Sequence, residues 1–344
     1  MFGKKSAVGL DIGSSSCKVV ELEVSKKAAV LLNYGITYLL PDAIVDGEIM
    51  DREVVIETIK GLFESKGITK RDVITSLPSK GVIVKRITVG KMKESEAKLQ
   101  IRWEAEQHIP FDISDVNLDF EIVNPDVGED QMEVILVAAK KDVVNSYVGL
   151  IREAELNPVV VDVAAFSVQN AFEVNYDTAP EELIALVDVG VEKTSINFVM
   201  NSASYFSRDI PAAAAMCLQR LQKDLGLSFE KAVDALKGRP GEEVDESKLM
   251  GIFRDFADEL CAGIERTLPY LPPKMERMDR LYLSGGGANI RDLPQLINQR
   301  LGVPVEIMNP LTRIRYDPAI FEEEDPQIIG PILAQAIGLG LRGG

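Results

Sequence analysis

The sequence predicts a mixed α/β fold of two related halves, with a small α+β unit inserted into the first. Three observations predict it. Ala7-Val-Gly-Leu-Asp-Ile-Gly13 and Ile184-Ala-Leu-Val-Asp-Val-Gly190 are both apolar runs of strand type that end in Asp-x-Gly. Each belongs to a run of three consecutive strand patterns, at 6–12, 17–24 and 28–38 and again at 183–189, 194–200 and 203–209. Between the two runs, the segment 81–157 shows the order strand–helix–strand–strand–helix, which suits a compact unit of its own.

In chain order, the first three strands lead to a helix over 54–63, where Val55, Ile59 and Leu62 fall at helical spacing. A strand at 73–77 stops at Pro78. The inserted unit then offers a strand at 81–89 and a helix at 95–108, with Leu99, Trp103 and Glu106 on related faces and Pro110 beyond its end. Strands at 116–123 and 132–138 suit a hairpin over the loop 124–130, and a helix at 141–154 closes the unit. Trp103, the only tryptophan, is expected in the core of this insert. A strand at 158–161 and a helix at 164–172 return to the first fold, and the polar link 175–182 precedes the second half. There, helical patterns at 213–225, 228–237 and 245–268 end at Pro269, Pro272 and Pro273. A strand at 279–284, a helix at 290–300, a strand at 303–307 and a closing helix at 328–341 follow. Gly330, Ala334, Ala336, Gly338 and Gly340 in that last helix permit close packing. The expected division is 1–80 plus 158–182 for the first half, 81–157 for the insert and 183–344 for the second half. The closing helix would return toward the first half.

Composition excludes several functions. The chain has 344 residues, room for roughly two domains, and 46% of them are apolar. Its net charge is −16, and no cluster of Lys and Arg offers a track for nucleic acid; Lys4 and Lys5 are ordinary solvated charges. His108 is the only histidine, which excludes multi-histidine metal sites and histidine triads. Cys17, Cys217 and Cys261 are far apart and form no C-x-x-C, as expected of reduced thiols in a cytosolic protein. Met1-Phe-Gly-Lys-Lys leads straight into a strand without a secretory signal. No apolar run approaches ~20 residues, so membrane association is expected only through a partner.

The two Asp-x-Gly motifs point to phosphate chemistry. Glycine lets backbone N–H groups approach phosphate oxygens, and a carboxylate holds Mg²⁺ through its waters. Ser14, Ser15 and Ser16 follow the first motif at once; Thr194 and Ser195 follow the second after a short gap. Leu281-Tyr-Leu-Ser-Gly-Gly-Gly-Ala288 is a third element, a strand running into three glycines and then a helix, which suits a nucleoside or phosphate over a helix N-terminus.

Taken together, the duplicated strand runs, the paired Asp-x-Gly turns and the late triple glycine resemble the actin, heat-shock chaperone and hexokinase superfamily, a two-domain ATPase fold of duplicated ribonuclease H-like halves. Within it, Val8-Gly-Leu-Asp-Ile-Gly-Ser-Ser-Ser-Cys-Lys-Val-Val-Glu-Leu22 and Glu104-Ala-Glu-Gln-His-Ile-Pro-Phe111 resemble two signatures of the PilM family of type IV pilus assembly proteins. The insert is similar to the SHS2-like subdomain 1C that PilM shares with the division protein FtsA. The resemblance implies ATP and Mg²⁺ as cofactors. Asp11 and Asp188 would be the metal-side carboxylates. Gly13, Ser14, Ser15, Ser16 and Lys18 would surround the terminal phosphates from the first half, and Gly190, Thr194 and Ser195 from the second. Gly285, Gly286 and Gly287 would face the α-phosphate and ribose, with Asn289 at the following helix start. Asp234 and Lys237 would flank the purine. Asp162, where the first connecting helix is expected to begin, would be the catalytic group near the attacking water.

The implied function is that of an adaptor in pilus assembly, cytoplasmic and peripheral to the inner membrane. It would dock on the cytoplasmic tail of a single-span partner such as PilN, through the crevice between insert and first half. Other pilus components and self-association are further partners the resemblance allows. Val191-Glu192-Lys193 replaces the glycine-rich continuation of the second phosphate motif in vigorous phosphotransferases, so any hydrolysis is expected to be slow. Two other functions remain open at this point. One is an FtsA-like polymer-forming division scaffold, although the amphipathic C-terminal tail FtsA uses is not evident before Arg342-Gly-Gly344. The other is a phosphotransferase of the sugar-kinase branch, although no second carboxylate cluster supplies a base.

Overall fold

The computed structural model describes residues 5–25, 28–241, 244–273, 275 and 277–343. The expectations that fall on Met1 to Lys4 and on Gly344 lie outside these residues.

The first strand run folds as expected: β1 (Lys5–Ile12), β2 (Ser16–Ser25) and β3 (Ala28–Tyr38) pair antiparallel in order. A hairpin of β4 (Ile44–Val45) and β5 (Glu48–Ile49) follows, too short for a periodic pattern. Helix α1 (Arg52–Ser65) starts at Asp51, whose side chain accepts the Val54 N–H, and buries Val55, Ile59, Leu62 and Phe63. Strand β6 (Asp72–Leu77) lies parallel to β1.

The insert follows with β7 (Val82–Gly90), α2 (Glu94–His108), β8 (Val116–Gly128) and β9 (Gln131–Lys140). Its three strands form an antiparallel sheet in the order β7-β9-β8. Two expectations are corrected here. Trp103 is not core: it is 71% exposed, and Leu99 is 77% exposed. Helix α2 instead turns Ala97, Ile101 and Ala105 to the sheet, because small and aliphatic residues at that four-residue spacing let the helix sit close. The next helix, α3 (Lys141–Glu153), packs Tyr147, Leu150 and Ile151 into the core of the first half beside Val55 and Ile59, so it does not share the insert's own core.

Strand β10 (Asn157–Val163) joins the first sheet parallel to β6, and α4 (Ala164–Asn175) follows. Asp162 therefore ends a strand, and the helix expected to begin there begins at Ala164.

In the second half, β11 (Ile184–Val189), β12 (Thr194–Met200) and β13 (Ala203–Ile210) repeat the antiparallel run. Helices α5 (Ala214–Leu225), α6 (Phe229–Leu236) and α7 (Glu246–Glu265) precede β14 (Arg280–Ser284), α8 (Leu293–Leu301) and β15 (Val305–Ile307). The sheet order is β13-β12-β11-β14-β15. The chain rejoins the first half earlier than expected: β16 (Arg315–Tyr316) pairs with Val30 and Leu31 of β3, giving the sheet β10-β6-β1-β2-β3-β16.

The closing helix is split into α9 (Pro326–Ile332) and α10 (Ala334–Leu341), with Pro331 near the break, where it cannot donate a backbone hydrogen bond. Its small residues serve close approach. A Cβ on Gly338 would overlap the backbone of Ser167 in α4, and one on Gly9 would overlap the backbone of Ala336. Helices α4 and α10 thus lie between the halves. One core cluster joins Val20 and Leu22 of the first sheet, Val168 and Phe172 of α4, Ile337 of α10, and Ile184 and Tyr282 of the second sheet.

Candidate functional site

Each Asp-x-Gly motif ends the first strand of its half, so both carboxylates emerge from strand ends. Asp11 is 5% exposed and sits opposite Lys18 in the β1–β2 ladder. The Lys18 ammonium lies 2.9 Å from Asp11 Oδ2. Burial works to lower the Lys18 pKa, but Asp11 and then Asp188 outweigh it and hold it above its usual value. The other oxygen of Asp11 accepts the side-chain amide of Gln335 at 2.6 Å, and the same amide reaches Ser76 Oγ at 3.0 Å. Sequence reasoning missed Gln335. The signal was there, since it is the one polar side chain in Ala334-Gln-Ala-Ile-Gly-Leu-Gly-Leu341. In the turn itself, the Gly13 N–H donates to the Ser16 carbonyl and the Leu39 N–H to the Ser15 carbonyl. Ser14 and Ser15 stay half-buried, while Ser16 is buried. Burial pushes the neighbouring Cys17 thiol up to about 12, which leaves it inert.

Asp188 differs. Burial pushes its carboxyl up to about 6; the Ser284 hydroxyl, which donates to it at 2.7 Å, and Lys18 pull the other way, and Asp11 adds to the rise. One lysine therefore acts on carboxylates of both halves, in contact with Asp11 and through its field on Asp188. The second turn closes with the Gly190 N–H on the Lys193 carbonyl at 3.0 Å, and a Cβ on Gly190 would come within 2.6 Å of that oxygen. Thr194 is buried and donates to the Ala212 carbonyl, within its own half. Ser195 lines a cavity of about 460 Å³. Glu192 and Lys193 reach across to the first half.

The triple glycine follows β14. Gly286–Asn289 is a 3₁₀ turn, and the α-helix begins only at Leu293. Gly285 has φ +81°, and a Cβ there would lie 2.6 Å from the Val189 carbonyl; a Cβ on Gly287 would overlap the Val189 side chain. Gly286 alone of the three faces open space. The Asn289 amide donates to the Ile328 carbonyl, fastening this turn to the closing segment. Asp234 and Lys237 lie at the end of α6, which the Arg291 N–H ties to the triple-glycine segment through the Leu236 carbonyl. Asp234 pairs with Arg239 at 3.2 Å rather than with Lys237.

Asp162 is aligned with Ser76 in the β10–β6 ladder, but its carboxylate accepts the Val163 N–H and lies 3.5 Å from Arg342. Burial raises its pKa, the Val163 bond and Arg342 oppose that, and Asp119 of the insert adds to it. Asp162 is thus held at Oδ1 by its own strand end, while Oδ2 is buried without a hydrogen bond and faces Arg342. The residues that open α4 beside it, Ala164 and Ala165, carry no proton-transfer group.

A metal ion would find two carboxylates here. Among the described residues no group of three or more His, Cys, Asp or Glu side chains gathers as a ligand set, so further oxygens must come with the ligand. That donor set fits a Mg²⁺ ion carried by a polyphosphate.

Two sheets flanked by twin Asp-x-Gly turns, joined by two packed helices, define an actin-like ATPase fold. Solved structures share it: the ethanolamine utilization protein EutJ from Carboxydothermus hydrogenoformans (14% identity, TM-score 0.60, 99% of this chain and 91% of that one covered) and MreB5 of Spiroplasma citri bound to AMPPNP (12%, 0.54, 98% and 95%). A far closer likeness is a chain of the PilM–PilN type IV pilus biogenesis complex, 29% identical with a TM-score of 0.84 over 99% of each chain. The model of the type IV pilus assembly protein PilM matches residues 9–344. The chain belongs to the PilM family, and its function is in type IV pilus assembly.

Proposed function

We propose that this PilM-family protein binds Mg²⁺–ATP between its two Asp-x-Gly turns and docks the cytoplasmic tail of a PilN-like inner-membrane partner, so that its output is conformational. The observation that carries the nucleotide part is that Asp11 and Asp188 end the first strands of opposite halves and that Lys18, paired with Asp11, also acts through its charge on Asp188. Bound Mg²⁺ would supply charge neutralisation for the phosphates. Asp11 and Asp188 would hold it, the turns at Gly13–Ser16 and Gly190 would offer the backbone N–H groups that they do not use to close themselves, and the open side of Gly286 would admit the ligand's backbone-close approach. The nucleotide-bound MreB5 structure has the same fold. The engagement of Asp162 by Arg342 and the bare start of α4 favour binding over rapid turnover.

The partner reading draws on the PilM–PilN complex to which the chain is similar. The crevice between insert and first half has the means to take a tail. Strand β10 is an edge strand with Val159 half-exposed. Asp119 and Glu121 of β8 lie near enough to Asp162 and Glu173 to help raise their pKa values, behind burial as the main cause. Four carboxylates beside an exposed strand edge suit a short, positively charged segment.

Among the described residues no helix is long and apolar enough to cross a membrane. A protein of net charge −16 is repelled by anionic lipid, so a cytoplasmic protein recruited through its partner is the expected arrangement. The test is sedimentation with anionic liposomes. The full chain should stay in the supernatant with bare liposomes and pellet when they carry the partner's tail, and Glu121→Lys should weaken that recruitment. Pelleting with bare liposomes at physiological salt, or undiminished recruitment of the variant, would sink the docking assignment.

A further inference from the structure

The second turn departs from a phosphate cradle at Val191-Glu192-Lys193, and the side chains that replace glycine there do something specific. The Glu192 carboxylate accepts the Asp46 N–H of the first half at 3.1 Å. Lys193 Nζ donates to Ser79 Oγ at 2.9 Å and lies 2.8 Å from Asp209 Oδ2, and Ser79 Oγ also donates to Asp209. Ser79 belongs to the first half, while Lys193 and Asp209 lie at the open end of the β12–β13 hairpin of the second half. Three groups that share protons and charge therefore bridge the halves beside the proposed nucleotide turn.

Ser79 is also where the insert begins. Its carbonyl accepts the Val82 N–H at 3.0 Å, Gly81 takes φ +82° to make that turn, and the Gly81 carbonyl accepts the Lys140 N–H from the insert's last strand. Both chain crossings into the insert thus hang on residues 79–82. The insert also meets the second half through Arg86 of β7. Its guanidinium stacks 3.8 Å from the Tyr205 ring centroid, and it donates to the Ser204 carbonyl on β13, the strand that carries Asp209. Between these two contacts the surfaces are not packed solid. The cavity of about 460 Å³ lies there, lined in part by Val82, Val84, Ala164, Lys193, Ser195 and Asp209. Strand β7 and the residues leading into it are accordingly held to the second half by two polar clasps around a cavity, so that this interface can shift without repacking a core of its own.

We propose that Lys193, Ser79 and Asp209 form a clasp that couples the second phosphate turn to the insert, so that nucleotide at the turn sets the insert's position and with it the affinity for a partner tail. A ligand that pulls on Gly190–Thr194 moves Lys193, which shares that five-residue loop; Lys193 moves Ser79, and Ser79 starts the insert. By linkage, the tail changes nucleotide affinity by the same factor.

The coupling rests on the proposed nucleotide and tail sites, whereas the clasp itself does not. The test therefore has two arms on the full chain. In the first, tail-peptide affinity is measured with and without Mg²⁺–ADP. Wild type should show at least about a fivefold difference, and Ser79→Ala and Asp209→Asn should bring the ratio close to one while each ligand alone still binds. Wild type binding both ligands with no difference, or variants keeping the wild-type ratio, would overturn the coupling. In the second arm, hydrogen exchange is followed on ligand-free protein. Ser79→Ala should speed exchange together at residues 82–86 and 192–194, on opposite halves. Unchanged exchange at either segment would overturn the clasp, whatever the ligands do. Failure of either ligand to bind at all would count against the proposed function, and the second arm would still decide the clasp.

Discussion

The two Asp-x-Gly turns begin from the same local sequence and end in different states. Asp11 is held by two partners: Lys18 and Gln335 reach it from two sides. Asp188 is held by one hydroxyl, and burial brings its carboxyl to about 6, close to neutral pH. The first turn continues in three serines that stay within their own half; the second continues in Val191-Glu192-Lys193 and reaches for the other half. A duplicated motif has thus been divided between holding charge and joining domains. A shared motif specifies the strand end and the carboxylate, while the three residues after the glycine decide what the turn does.

The largest contrast should be in stability. Asp11→Asn strips the buried Lys18 ammonium of its carboxylate and should destabilise the ligand-free protein by about 3 kcal/mol. Asp188→Asn should stabilise it instead. The folded-state pKa of Asp188 lies above the unfolded value, so the folded protein holds a proton that the unfolded chain releases between roughly pH 4 and 6. The wild type therefore loses stability as pH rises through that window, and the variant should gain about 2 kcal/mol at pH 7.5, shrinking to less than half of that near pH 4.5. Urea midpoints at the two pH values check both signs; equal shifts for the two variants would erase the distinction between the turns.

A smaller contrast lies in the glycines. A methyl on Gly190 meets a backbone oxygen at 2.6 Å, whereas one on Gly13 meets the Ser16 oxygen at 3.2 Å and the flexible end of Lys18 at 3.4 Å. Gly190→Ala should cost about 1–2 kcal/mol and Gly13→Ala less than half as much, read from the same denaturation curves. The reverse order would mean that the first turn is the tighter one. The smallest effect belongs to Glu192→Ala. It removes one exposed hydrogen bond to Asp46, and its thermal midpoint should correspond to a loss of ~0.5 kcal/mol or less. A loss several times larger would mean that the bridge between halves holds the fold itself.

Much of this was legible in the sequence. The strand runs around Asp11 and Asp188 and the three glycines carry strong periodic and turn signals, and they lie where those signals put them. Trp103 was misplaced because its bulk suggests burial, while the side of α2 that packs is set by Ala97 and Ala105, whose small size lets the helix approach the sheet. Helix α3 was assigned to the insert because chain order does not say which core an amphipathic face joins. The two residues of β16 have no period to detect. Within the site, Gln335 and Arg239 escaped notice for a common reason. Each acts on a carboxylate through space, Gln335 on Asp11 from the far end of the chain, and no spacing rule links them to the motifs they complete.

Whether both turns serve one ligand can be read from a calorimetric titration of Mg²⁺–ATP into wild type, Asp11→Asn and Asp188→Asn at pH 7.5. Losing one charge-assisted contact is worth ~1.5–3 kcal/mol, so each variant should bind at least about tenfold more weakly than wild type, despite their opposite effects on stability. Wild-type affinity in Asp188→Asn, or no measurable binding by the wild type, would contradict a single Mg²⁺–nucleotide held between the halves.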